Sequence, residues 1–438
     1  MSQSSPTGLL RGIRRWDLVA LGVNFIVGAG IFGLPSRVYA RAGTASIIAY
    51  FICAAVTLLI VLCFAEVGSR FTETGGAYFY AREAFGRLVG FEVGWFRCIT
   101  GVLSFAANVN LLADYLSFIW PTMNVGMTRN LIIIIVTLAV TTTNVIGVRN
   151  TAIVSNTLAV GKLLPLILFI AVGLYYTNPQ NFSARVIPGF SGISSSVLPL
   201  LYAFTGFDSL GIPAGEVRDP QRSVPFALLT TIIIVTLLYV LIQIVCIGTL
   251  PELATSIRPL ADASGRFLGT RAGYIITAGA VVSIAGNLHG QMLVTPRVLF
   301  AMAEQRQLPK VFVVTHKRFR TPHISIIFSA IVILGLALSG TFIQLVLVSV
   351  MARLITYAAT CAALPVLRRR GNRPPPAFKL PFGSVIAVAA LAVCTWLILN
   401  STKREAVIGA IAAAVGLVFC YLYRLKKLDG PGLDQSLR

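Results

Sequence analysis

Glycines interrupt two apolar runs that would otherwise read as unbroken helices. The first interruption is Gly28-Ala29-Gly30-Ile31-Phe32-Gly33, and the second is Phe204-Thr205-Gly206-Phe207-Asp208. A helix broken there loses the regular pairing of its backbone groups. The new N-terminus offers free N–H groups and the positive end of a helix dipole, which together suit a carboxylate. At the first break the expected donors are the amides of Ala29, Gly30 and Ile31. Carbonyls just before a break, such as that of Ile26, can accept from an ammonium. The chemistry implied is recognition of a zwitterion, with Gly28, Gly30 and Gly206 supplying the breaks. Small residues also serve close helix packing, which is the competing explanation for one break alone. Two breaks at corresponding positions, five apolar runs apart, favour a solute site.

Lys162, in Gly161-Lys162-Leu163-Leu164-Pro165, is the second candidate for chemistry. It lies about ten residues inside its apolar run, or about 15 Å at the helical rise, too deep to snorkel to the interface. An ionisable group at such depth costs roughly 2.5–3.5 kcal/mol on insertion scales and is functional by default. It can carry a proton or act as a fixed charge. Asp208, just after the second break, could meet a cationic side chain, and a structural role at the helix end is an equal reading. Asn108, Asn110 and Asp114 could line a pathway or join helices, and His289 reads as a core histidine. Arg353 lies deep enough to need a partner, which the sequence does not name. Glu66, Glu73 and Glu83 are expected to pair with Arg70, Arg82 and Arg87.

Several enzyme signatures fail on context. Gly28-x-Gly30-x-x-Gly33 matches a dinucleotide fingerprint but lacks the preceding strand and the later acidic residue. Gly189-Phe190-Ser191-Gly192 has no partner histidine for serine catalysis. The seven cysteines all fall in apolar runs and form no CxxC pair, so neither a metal site nor a disulfide framework is expected. No ATP-binding loop occurs, and no cofactor is called for.

These residues must be held by helices in lipid. Of 438 residues, 56% are hydrophobic and 12% charged, and the mean hydropathy is +0.83. Soluble domains carry about 25% charged residues. Windows of roughly 20 residues give twelve candidate spans: 17–41, 45–68, 88–118, 130–147, 152–176, 194–216, 224–249, 271–301, 322–339, 341–367, 382–400 and 405–424. The start, MSQSSPTGLLRGIRRW, has no apolar core or cleavage signature, so no cleaved signal peptide is expected. The net charge of +21 does not point to nucleic acid. With both termini on one side, that side holds 23 of the 36 Lys and Arg, against 9 on the other and 4 within spans. The positive-inside rule then puts both termini in the cytoplasm, with basic loops near anionic lipid.

Four segments carry a family resemblance. They are Val27-Gly28-Ala29-Gly30-Ile31-Phe32-Gly33-Leu34-Pro35, Ala65-Glu66-Val67-Gly68-Ser69-Arg70-Phe71 with Gly75-Gly76-Ala77-Tyr78, Tyr202 through Asp208 with Gly215 through Pro225, and Thr295 through Ala303. Together the chain resembles the amino acid permeases of the amino acid–polyamine–organocation superfamily, over nearly its whole length. The resemblance implies an all-α integral membrane fold with twelve transmembrane helices. It implies a leucine-transporter-like 5+5 inverted repeat, with helices 1 and 6 broken. The parts would be a cytoplasmic N-terminus (1–16), a first repeat (17–176), a second repeat (177–368), two additional helices (369–425) and a cytoplasmic tail (426–438).

By position, the resemblance gives substrate carboxylate contacts at the amides of Ala29, Gly30 and Ile31. It gives amine contacts at the carbonyls of Ile26, Tyr202, Ala203 and Thr205, with Tyr202 as a gate. Many relatives carry Ser or Thr where Ala29 stands, so one hydroxyl is missing from the carboxylate seat. Lys162 would replace a sodium ion, with Ser283 at a contacting position. The expected activity is secondary transport of L-amino acids, most simply neutral ones, by alternating access with proton coupling. An amino acid or amine exchanger, including one for cationic substrates or polyamines, is the alternative. The expected setting is the bacterial inner membrane. The sequence leaves side-chain specificity, oligomeric state and any partner subunit open.

Overall fold

The computed structural model describes residues 13–71, 76–146, 151–183, 190–305, 307–319, 321–370, 375–401 and 403–428. Glu73 and Gly189 lie outside the described residues. Helices occupy every apolar window, because a backbone in a water-free medium must satisfy its polar groups within the segment. The first window divides into α1 (Arg15–Ile26) and α2 (Ala29–Ala42). There follow α3 (Ser46–Gly68), α4 (Gly76–Phe85), α5 (Arg87–Leu116), α6 (Gly126–Ile146) and α7 (Thr151–Tyr175). The sixth window divides into α8 (Phe190–Phe204) and a 3-10 segment, Phe207–Glu216. The remainder is α9 (Pro220–Thr249), α10 (Pro259–Leu268), α11 (Thr270–Glu304), α12 (His323–Ser339), α13 (Phe342–Arg369), α14 (Gly383–Leu399) and α15 (Lys403–Leu428). Among the described residues the one isolated β-bridge joins Ile13 to Val217.

Six helical stretches are long and apolar enough to cross a membrane by length and composition, one of them the joined α2–α3 stretch Ala29–Gly68. Four further apolar stretches are shorter as described: Lys162–Tyr175 within α7, His323–Ser339, Gly383–Leu399, and Ala406–Tyr421 within α15. Part of the difference from twelve has a physical cause. The breaks cut the first and sixth windows into pieces of 12, 14 and 15 α-helical residues. Helices α12 and α14, at 17 residues each, reach about 26 Å at 1.5 Å per residue, just under a 30 Å core. Two short helices, α4 and α10, sit in connections that carry no apolar window.

Helix α5 is the hub and is buried along most of its length. It packs against α11 and α13, while α6 and α12 pack together on its flank. A second group forms where α9 packs on α1 and α3, and α2 and α3 pack on α8. Helix α13 touches both groups, and α7 lies between α11 and α9. The expected pairing of Glu66 with Arg70 is present at 3.5 Å. The stronger partner is distant in sequence. Arg368, at the end of α13, donates to both Glu66 oxygens at 2.7 and 2.6 Å, and the Leu380 amide donates to one of them at 2.9 Å. A fully buried carboxylate is retained there because its lone pairs are filled.

Candidate functional site

The first break is two residues long. Val27 and Gly28 are both extended, and the Gly28 cap places no side chain over the amides of the α2 first turn. Those first-turn N–H groups have no acceptor within their helix. Two of the carbonyls that the break releases on the α1 side are taken by Lys162. Its Nζ donates to Val27 O at 2.8 Å and to Asn24 O. The sequence marked Lys162 by its depth and by the resemblance, and the structure seats its ammonium on the break itself, among buried groups.

The second break turns on Gly206, whose φ of +119° belongs to the region that L side chains rarely adopt. Helix α8 stops at Phe204, and the chain resumes as a 3-10 segment rather than an α-helix. Thr205 folds back at the helix end, its N–H and hydroxyl both donating to Tyr202 O, at 3.2 and 2.7 Å. The Gly206 N–H donates to Asp208 Oδ1 at 3.3 Å.

The two breaks touch each other. A β-carbon on Gly30 would stand 2.7 Å from Ala203 Cα, and one on Gly206 would stand 2.6 Å from Phe25 O. Only glycine admits such approach. Tyr239 of α9 clamps the pair, its hydroxyl lying 3.1 Å from Ile26 O and 3.0 Å from Ala203 O. One hydroxyl proton serves two carbonyls, so each keeps capacity for another donor. The structure therefore gathers Ile26, Ala29, Gly30 and Ile31 at one break beside Tyr202, Ala203 and Thr205 at the other. Ala29, Ile31 and Ala203 are buried. Tyr202 packs edge-on against Phe342, and its hydroxyl donates to Asn108 Oδ1 at 2.7 Å. Asn108 thus joins the site by holding the tyrosine.

Asp208 goes elsewhere. Arg353 approaches it at 3.1 Å, Arg97 at 3.8 Å, and the Tyr357 hydroxyl donates to it at 3.1 Å. Arg353 also reaches Ser104 Oγ at 3.5 Å, and Arg97 reaches Ser209 Oγ at 3.4 Å. The carboxylate that the sequence offered for a cationic side chain is consumed by the arginine that lacked a partner. Ser283 is buried, but its hydroxyl makes no hydrogen bond among the described residues, to Lys162 or to any other group.

Two contributors escaped the sequence. Tyr239 is one aromatic in a long apolar run and carries no local signal. Asn287 of α11 fills the space where a Gly28 side chain would be, with its amide nitrogen in contact range, and only three-dimensional register reveals it. Among the described residues no group of three or more His, Cys, Asp or Glu could hold a metal.

Comparison with known proteins adds an independent line. The amino acid permease family model matches residues 13–420. The chain is 27% identical over 444 residues to a methylthioribose transporter of Bacillus subtilis, covering 97% of this chain and 96% of that one. It is 29% identical over 437 residues to the serine/threonine exchanger SteT of the same organism, covering 96% and 98%. It is also similar to human cationic amino acid transporter 4, at 28% identity over 392 residues, covering 84% of this chain and 61% of the human protein.

Proposed function

The chain belongs to the amino acid permease family, and from that premise we propose that it is a secondary transporter of L-amino acids working by alternating access. Members are transporters rather than enzymes, and with several apolar helices the chain is a multi-pass membrane protein. The observation that carries the proposal is the contact between the two helix breaks. Free amides of Ala29, Gly30 and Ile31 stand beside the carbonyls of Ile26 and Ala203. A carboxylate on the former and an ammonium on the latter use the two ends of one α-amino acid.

The wider reading is a twelve-span, leucine-transporter-like architecture in the inner membrane with both termini cytoplasmic. The α1–α3, α8 and α9 group rocks against the α5, α6, α11 and α12 group, and Tyr202 closes over bound substrate. Lys162 holds Asn24 O and Val27 O together, so loss of its proton would remove the charge assistance and loosen the α1 end of the break. That supports proton coupling. The likeness to a serine/threonine exchanger favours exchange as the second reading. In that case Lys162 stays charged throughout.

The test is uptake of labelled amino acids into liposomes carrying the purified protein. Empty and preloaded vesicles are compared, with and without an inward proton gradient. Gradient-dependent accumulation in empty vesicles is the expected result. Uptake confined to preloaded vesicles would establish exchange instead, and no uptake of any amino acid would refute the substrate class.

A further inference from the structure

Helix α11 presents an uncommitted polar stripe to the first break. Ser283, Asn287 and Gln291 recur every four residues, which puts them on one helical face. The buried Ser283 hydroxyl and the buried Gln291 Oε1 have no hydrogen-bond partner. The Asn287 amide lies against Gly28, one residue before the carboxylate seat.

Packing on either side fixes where this face points. One turn before Ser283, a β-carbon on Gly279 would meet Pro165 of α7 at 2.6 Å. One turn after Gln291, Thr295 packs directly on Gly101 of α5. The stripe therefore runs from α7, past the break, to α5. Gln291 sits between the contact with Gly28 and the contact with Gly101. A solute whose carboxylate occupies the α2 first turn lies one residue from the Gly28–Asn287 contact, and Gln291 is one turn further along the same helical face.

Native structures rarely leave buried polar groups unpaired, and such groups call for a ligand or water. A hydroxyl or carboxamide side chain supplies the donor that Gln291 Oε1 lacks and pairs with the Asn287 amide. A branched aliphatic side chain would leave Gln291 Oε1 unpaired. Asp208 offers a cationic side chain no free carboxylate, because it is held by Arg353 and Arg97, and that cluster carries two positive charges against one negative.

We propose that the transported amino acid has a polar, uncharged side chain, read by Asn287 and Gln291. This inference rests on the reading of the chain as an amino acid transporter, and it adds the class of side chain and the residues that select it.

The experiment is competition against labelled serine uptake in liposomes. Threonine, asparagine and glutamine are compared with leucine, valine, lysine and glutamate. The expected result is that the polar uncharged set inhibits at least tenfold more strongly than the others. Asn287→Leu and Gln291→Leu should each lower serine uptake at least tenfold and raise the relative uptake of leucine, with Asn287→Ser retaining part of the preference. Leucine, lysine or glutamate competing as well as threonine would overturn the inference while leaving amino acid transport intact. A polar preference unchanged in both leucine variants would overturn the assignment to these two residues. Failure of every amino acid to enter would instead sink the underlying reading. The competition series on the unaltered protein decides the side-chain class even if a variant fails to fold.

Discussion

Replacing Asp208 by asparagine isolates the electrostatics beside the second break. The side chain keeps its size and one carbonyl oxygen, so Tyr357 and the Gly206 N–H still find an acceptor where Oδ1 now stands, at 3.1 and 3.3 Å. What is lost is the charge facing Arg353 at 3.1 Å and Arg97 at 3.8 Å. The three-residue cluster has a net charge of plus one, which becomes plus two in the variant. Leaving a buried cation without its partner costs about 3–5 kcal/mol. At roughly 1–2 °C per kcal/mol, below the 2–4 °C typical of smaller domains because this chain is longer, the melting temperature should fall by about 3–10 °C. Adding Arg353→Met returns the cluster to plus one and should recover most of that fall. The assay is thermal unfolding of the purified protein in detergent, with monodispersity followed by size-exclusion chromatography. Asp208→Asn melting within about 1 °C of the parent would refute the reasoning. So would a double variant less stable than Asp208→Asn.

Three further outcomes are expected. Gly206→Ala should destabilise by about 1–3 kcal/mol from backbone strain alone and reduce uptake, because φ is +119° and the new methyl would press on Phe25 O; melting temperature and liposome uptake check both. Lys162→Met should leave a folded protein that has lost at least tenfold of its gradient-driven accumulation, since Asn24 O and Val27 O lose their donor; uptake after a pH jump reads this directly. Asn108→Leu removes the acceptor of the Tyr202 hydroxyl, a loss of roughly 1–3 kcal/mol at a buried donor, and should raise KM more than it lowers the maximal rate.

Much of this arrangement was legible along the chain because the membrane forces it to be. Glycine breaks in apolar runs and a lysine ten residues deep are conspicuous where unpaired polar groups are costly. The breaks at Gly28 and Gly206 and the depth of Lys162 could therefore be read without coordinates. Partnerships across the fold could not. Arg353 announced that it needed a counter-charge, and Asp208 announced that it faced something, but 145 positions separate them and no periodicity connects them. Glu66 showed its local partner Arg70 and hid Arg368, which lies 302 positions away. Tyr239 and Asn287 act through register between packed helices, a property of side-chain shape at the contact rather than of spacing. The 3-10 character of Phe207–Glu216 was also hidden, since hydropathy does not distinguish it from an α-helix.

The central claim is that the two helix breaks form one seat for an α-amino acid. The measurement that tests it most directly is an experimental structure in a lipid nanodisc with the best-transported amino acid bound. The account predicts the substrate carboxylate on the amides of Ala29, Gly30 and Ile31, and the ammonium on the carbonyls around Ile26 and Ala203. A bound amino acid away from both breaks, or one with its carboxylate and ammonium exchanged between these groups, would contradict it.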